Sequence, residues 1–141
     1  MNQQRPGWQY QAVNISTCVE DADPHRLIQM LYEAALNSIA VASGCMERGD
    51  SEGKGLAIGK AVGLVGGLMD SLNRDIVDGG LADNLAALYE YTTEQLTLAN
   101  VENDVARLDR ARDVLTPLKE GWDGIRAESK TLLEATAAAA S

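Results

Sequence analysis

The chain has 141 residues, of which 45% are hydrophobic and 4% aromatic, with no Phe. This length and apolar content exclude a disordered chain and suffice for one domain, whose core must be built from Leu, Ile, Val, Met and Ala, a composition that favours helices. The formal net charge of −9 excludes a nucleic-acid-binding protein, which needs a concentrated basic face, and weighs against binding to anionic membrane surfaces.

Residues 1–22 are predicted to form an arm outside the main domain. The segment is too short to hold itself as an independent helix, so we expect it to lie, as an arm or short helix, on the domain that follows. Met1 to Pro6 is polar and resembles no secretion signal. Because the chain also lacks a run of about 18 uncharged apolar residues, we expect a cytoplasmic protein without stable membrane insertion. The apolar side chains of the arm are Trp8, Tyr10, Val13 and Ile15.

Two helices are predicted in the first half of the chain. Asp23 suits a helix N-cap, and Pro24 suits the first turn, where its missing N–H costs nothing. Apolar residues at helical spacing continue to about Arg48 and stop at the break 49–51. A second helix is predicted over about 52–74.

Glycines recur at every fourth position along the second predicted helix. Each interior Gly costs about 1 kcal/mol of helix stability relative to Ala. Residues spaced by four lie on one slowly drifting stripe of a helix. Three interpretations remain open: close packing against a neighbouring helix of the domain, a shallow track for a partner helix, or sequence drift without consequence. The glycine stripe consists of Gly55, Gly59, Gly63 and Gly67, with Gly66 beside it.

Two further helices are predicted in the second half of the chain. The third covers about 81–100, after the turn signal at 78–80, and the fourth begins near Asn103. Pro117 lies inside the fourth helix, where a proline removes one hydrogen bond and costs about 3 kcal/mol. We therefore expect a kink or a break near Leu115 and Thr116.

Together these elements predict an all-α fold, an antiparallel up-down four-helix bundle with a short N-terminal arm packed on it. Short connections make sequential helices antiparallel neighbours. The predicted organisation is an arm over 1–22, a bundle over 23–134, and an Ala-rich tail over 135–141 that we expect to be disordered.

The sequence lacks the residue sets of common catalytic and metal sites. His25 is the only histidine, which excludes a di-iron bundle, a Ser/His/Asp triad and a mid-helix phosphotransfer site. Cys18 and Cys45 form no zinc motif. Residues 49–55 miss the spacing and the Ser/Thr of a phosphate-binding loop. We therefore expect no enzyme activity, no metal and no cofactor.

The opening helix carries a run that resembles the FliS family of flagellar export chaperones. Residues 23–35 read Asp-Pro-His-Arg-Leu-Ile-Gln-Met-Leu-Tyr-Glu-Ala-Ala, where that family reads Ser-Pro-x-x-Leu-Ile-x-Met-Leu-Tyr-Asp-Gly-Ala. Further matches follow in the same order and cover roughly residues 8–126. They are Tyr10 upstream, then Gly49-Asp50, Lys54-Gly55, Lys60-Ala61, residues 79–85, residues 88–91, Leu96, Ala99-Asn100, Asn103-Asp104 and Trp122.

The resemblance implies a chaperone that binds the disordered C-terminal segment of flagellin in the cytoplasm. Such a protein prevents premature polymerisation of flagellin and delivers it to the flagellar export apparatus, without enzymatic activity of its own. Association of two copies into a homodimer stays open. Two other functions also stay open: a chaperone of another type III-secreted client, and a structural or signalling bundle that binds no unfolded client.

Apolar and aromatic residues on the arm and on the first three helices are the candidate flagellin contacts. For each apolar candidate the alternative is an ordinary place in the core. Tyr89 and Tyr91 are two residues apart, so they cannot both face the same side of a helix. The candidates are Trp8, Tyr10, Ile28, Leu31, Tyr32, Leu64, Leu68, Leu72, Leu88, Tyr89, Tyr91 and Leu96.

Overall fold

The computed structural model describes residues 24–72 and 79–140, with the side chains of 24–72 and 80–125. It contains four helices: α1 (Pro24–Arg48), α2 (Ser51–Ser71), α3 (Gly79–Glu102) and α4 (Val105–Ala140). Each helix packs against the next one in the chain, and α4 packs back against α1. The described residues therefore form a closed ring of helices around one core, which confirms the predicted all-α four-helix bundle. The predicted arm lies outside the described residues.

The turn between α1 and α2 consists of Gly49 and Asp50, which end α1 and cap the start of α2. Gly49 adopts a positive φ of 72°, a conformation that glycine reaches without a steric penalty. The next residue, Asp50, donates its backbone N–H to the Cys45 carbonyl at 2.9 Å, which satisfies the end of α1. The Asp50 side chain then accepts the Gly53 N–H at 2.9 Å and caps α2. Two residues thus reverse the chain.

The turn between α3 and α4 repeats this arrangement at the same end of the bundle. Asn103 adopts a φ of 54°, and Asp104 donates its N–H to the Ala99 carbonyl at 3.1 Å. The Asp104 carboxylate accepts the Ala106 N–H at 3.0 Å at the start of α4. Because both connections are this short, α1 and α2 are antiparallel, and so are α3 and α4.

A buried lysine joins the two turns. Lys54 is only 9% exposed, and its Nζ donates to the Asn100 carbonyl and to the Asn103 Oδ1, each at 3.2 Å. A cation is stabilised at the C-terminal end of a helix, where carbonyl groups lack partners. Lys54 therefore ties the first turn of α2 to the last turn of α3.

Of the kink or break expected near Leu115 and Thr116, the break is wrong, because α4 continues through Pro117, and the kink stays a prediction. Pro117 and Asp113 are exposed, so water can replace the hydrogen bond that the proline removes. Leu115 on the opposite face is fully buried, and its packing holds the helix across the proline. Composition predicted a disordered tail over 135–141, whereas α4 extends to Ala140.

The glycine stripe of α2 faces outward along most of its length. A Cβ placed on Gly55, Gly59 or Gly66 would meet no atom of a neighbouring element within 4 Å, so close packing inside the bundle does not explain these residues. Gly67 is the exception, because a Cβ there would lie 3.3 Å from the Leu31 side chain. The stripe leaves a shallow, largely solvent-facing track on α2.

We expect the double variant Gly59→Ala/Gly66→Ala to be more stable than the natural chain. Both positions are helical with open space around them, so each change should raise the free energy of unfolding by about 1 kcal/mol. Urea denaturation measures this difference. Gly53→Ala is the matched control and should destabilise, because its Cβ would lie 2.9 Å from the Cys45 Sγ and clash with the Asp50 carboxylate. Destabilisation by the double variant would contradict the open geometry.

Candidate functional site

Many of the residues predicted to contact a partner lie in the core of the bundle. Leu72 is partly buried and packs against that core, while Trp8 and Tyr10 lie outside the described residues. In this structure the buried side chains stabilise the fold, and their role in binding a partner stays a prediction. The buried candidates are Ile28, Leu31, Tyr32, Leu64, Leu68, Tyr89 and Leu96.

Leu88 and Tyr91, the other two candidates, are exposed together with further large apolar side chains. On α3 the exposed fractions are 44% for Leu81, 37% for Leu88 and 41% for Tyr91, and on α4 the exposed fraction of Ile125 is 46%. The α3 residues are spaced by seven and three, so they lie on one side of that helix. We refer to Leu81, Leu88, Tyr91 and Ile125 as the α3–α4 strip.

The contact between Arg107 of α4 and Gln95 of α3 shows which sides of these two helices face each other. Arg107 donates from Nη1 to the Gln95 Oε1 at 3.2 Å, which sets the antiparallel register of α3 and α4. In that register Leu88 lies level with the half-buried Val114. Ile125 follows Val114 at a spacing of eleven, on the same side of α4. The strip therefore borders the groove between α3 and α4.

Sequence reasoning missed part of this surface. Leu88 and Tyr91 were among the predicted contacts, whereas Leu81 and Ile125 were not, although both are exposed. The spacing of seven between Leu81 and Leu88, followed by Tyr91, is the signal in the sequence that relates these exposed positions.

Two buried tyrosines form a hydrogen bond between α1 and α3 in the core. The hydroxyl groups of Tyr32 on α1 and Tyr89 on α3 are 2.6 Å apart. Burial raises the pKa of the Tyr32 hydroxyl far above its ordinary value, and burial also raises the pKa of Tyr89 despite the opposing effect of the shared hydrogen bond. Both groups are therefore protonated at neutral pH, and one donates to the other.

The same pair lines a small pocket at the end of the bundle where α1 and α3 begin. This pocket brings together four of the predicted site residues and the indole of α4. The lining residues are Ile28, Tyr32, Ser71, Leu72, Leu85, Tyr89 and Trp122.

Tyr89→Phe alone should lower the free energy of unfolding by about 1–2 kcal/mol. The change leaves the buried Tyr32 hydroxyl without its partner, and an unpaired buried polar group costs more than the net value of a hydrogen bond. The double variant Tyr32→Phe/Tyr89→Phe should cost less than the sum of the single variants. Urea denaturation of all four proteins gives the coupling free energy, and strictly additive effects would contradict the pairing.

Contacts between α1 and α4 close the ring of helices at this same end. The Trp122 ring stacks on His25 with centroids 4.8 Å apart, and its Nε1 donates to the His25 carbonyl at 2.8 Å. Gln29 donates to the Asp123 carboxylate at 2.7 Å. The hydrogen bond from Lys119 to Asp123 lowers the pKa of Asp123 and raises that of Lys119. These contacts hold α4 beside the first turns of α1.

The described residues contain no group of three or more His, Cys, Asp or Glu side chains that could hold a metal ion. Within the same part of the chain, no helix has the length and hydropathy needed to cross a membrane.

The structure is thus an all-α four-helix bundle that exposes several large apolar side chains outside its core. The family model described as "Flagellar protein FliS" matches residues 6–129. The chain therefore belongs to the FliS family, which confirms the resemblance seen in its sequence.

Several relatives are flagellar secretion chaperones. The chain is 48% identical over 117 residues to the flagellar secretion chaperone FliSB of Pseudomonas aeruginosa, covering 83% of this chain and 92% of that protein. It is 32% identical over 127 residues to FliS of Vibrio cholerae, covering 89% and 92%. Identity to FliS of Salmonella typhimurium is 33% over 117 residues, covering 82% and 86%.

Proposed function

We propose that this chain is a cytoplasmic export chaperone that binds the disordered C-terminal segment of flagellin. It prevents premature polymerisation of flagellin and delivers it to the flagellar export apparatus. It acts by binding alone, without enzymatic activity, metal or cofactor. The observation that carries the proposal is the exposed α3–α4 strip on a member of the FliS family.

The chemistry of such a client fits this surface. A segment that forms an amphipathic coiled-coil strand in a finished filament exposes its apolar side when it is alone. The groove beside Leu88 and Tyr91 can cover that apolar side by helix-in-groove contacts, with anchors at helical spacing. A client that folds on binding spends part of the interaction free energy on its own ordering. Its affinity is therefore moderate for the area buried, and it can be released without ATP hydrolysis.

Calorimetric titration with a peptide spanning the last few dozen residues of the cognate flagellin tests the proposal. We expect one-to-one binding with a dissociation constant of about 1 μM or below, and a negative heat-capacity change from burial of apolar surface. A scrambled peptide of the same composition is the control. A folded protein that ignores the flagellin peptide would contradict the proposal.

Two alternatives predict different results in the same titration. A chaperone of another type III-secreted client would bind the segment of that client and leave the flagellin peptide unbound. A structural or signalling bundle would bind neither peptide, because it has no use for an amphipathic segment. The exposed apolar side chains of the strip favour a client-binding protein over this last class.

A further inference from the structure

The outer face of α3 carries a row of carboxylates beside the α3–α4 strip. Asp83, Glu90 and Glu94 are exposed and follow one another at spacings of seven and four, so they lie along one line of the helix. Glu94 stands one turn after Tyr91, which makes these two side chains neighbours on the helix surface. The sequence of α3 contains neither Lys nor Arg. A line of negative charge therefore runs along one edge of the strip.

Three of the described carboxylates of the neighbouring helix α4 form ion pairs. On α4, Arg112 lies 3.2 Å from Asp109 and 3.5 Å from Asp113, and Lys119 lies 2.6 Å from Asp123. In the part of the chain that the structure describes, the three α3 carboxylates have no ion pair of this kind. Among the described residues the row on α3 therefore has no ion pair, although Glu102 at the end of the same helix lies 2.9 Å from Arg107 of α4.

We propose that this carboxylate row is the polar half of the docking surface, and that the client helix bound to the strip presents Lys or Arg side chains to Asp83, Glu90 and Glu94. The inference rests on the proposed function and names the chemistry of the client: an amphipathic helix with an apolar side and a basic flank.

The negative charge of the row favours a client helix with a basic flank over one with an acidic flank. Glu90 and Glu94 are four residues apart, so their like charges repel each other in the free protein. A helix that lies in the groove between α3 and α4 turns one flank toward the outer face of α3. A basic flank relieves the repulsion, whereas an acidic flank adds to it. The net charge of −9 also speeds the encounter with a cationic segment.

Titration of the full-length chain with the flagellin C-terminal peptide at low salt and at about 0.5 M NaCl tests this inference. Two exposed ion pairs together are worth about fivefold in affinity, so Glu90→Gln/Glu94→Gln should weaken binding by about that factor at low salt. The variant should also lose most of the salt dependence, since about 0.5 M salt screens exposed charges. Glu47→Gln/Asp70→Asn removes the same charge from exposed sites on α1 and α2 and is the matched control.

A second peptide, with Gln in place of its Lys and Arg, completes the experiment. If the inference holds, the neutral peptide binds the natural chain about fivefold more weakly and does not distinguish it from Glu90→Gln/Glu94→Gln. Equal losses from the control variant would overturn the inference, because net charge alone would then explain the effect. Unchanged affinity in every variant would overturn it while leaving the proposed function intact. No binding to the natural chain at either salt concentration would overturn both.

Discussion

The double variant Leu88→Asp/Tyr91→Asp should bind the flagellin peptide at least about 100-fold more weakly than the natural chain, while its bundle stays folded. Both side chains are substantially exposed, so the free protein loses little core packing. In the complex the same changes remove two apolar anchors and bury carboxylates without partners, and each buried unpaired charge is costly. A 100-fold loss corresponds to about 2.7 kcal/mol. Calorimetric titration and the thermal unfolding midpoint measure the two effects separately.

A control for this variant uses apolar residues on α1 and α2 that are more exposed than Leu88 and Tyr91. Val41 on α1 and Leu56 on α2 have exposed fractions of 47% and 66%. Val41→Asp/Leu56→Asp should therefore keep the natural affinity for the peptide. The reverse pattern, in which the control loses binding and the α3 variant keeps it, would move the client surface to α1 and α2.

Lys54→Met should lower the free energy of unfolding by about 2–3 kcal/mol. The Met side chain is unbranched and one atom shorter, and it lacks the charged donor of the two hydrogen bonds to the Asn100 carbonyl and to Asn103. Hydrogen bonds that involve a charged group contribute about 1.5–3 kcal/mol, and the last turn of α3 also loses its compensating cation. Urea denaturation at neutral pH measures the change.

Lys60→Met is the matched control for this second variant. Lys60 lies on the same helix and is partly exposed, so its replacement should change the free energy of unfolding by about 0.5 kcal/mol at most. Equal effects of the two variants would mean that the loss of a positive charge, and not the contact of Lys54 with the end of α3, sets the stability.

The positions of the helices were predictable because residues with a backbone role mark their ends. Gly49 with Asp50, and Asn103 with Asp104, build the two tight turns, and Lys54 joins them. These residues are also among those that carry the resemblance to the FliS family. Much of that family pattern therefore describes how the bundle is closed, which explains why it predicts the fold.

The exposure of individual apolar side chains was harder to predict because helical spacing does not distinguish the centre of an apolar face from its edge. Leu85 and Leu88 both fit the inward pattern of α3, yet Leu85 is buried and Leu88 is exposed. The difference depends on how far α4 covers that edge, which is a property of packing between helices. The direction of the glycine stripe and the continuity of α4 through Pro117 depend on packing in the same way.

The carboxylate row on α3 also has a consequence for how two copies of the chain would meet. A twofold-symmetric pair formed through the α3–α4 strip would place the same surface on both partners, so Glu90 and Glu94 of one copy would approach acidic residues of the other. Such a pair would bury apolar side chains but bring like charges together, which disfavours it. If the row binds a basic client helix as proposed, we expect the same charges to weaken self-association through the strip, so that the apolar surface stays available at high protein concentration.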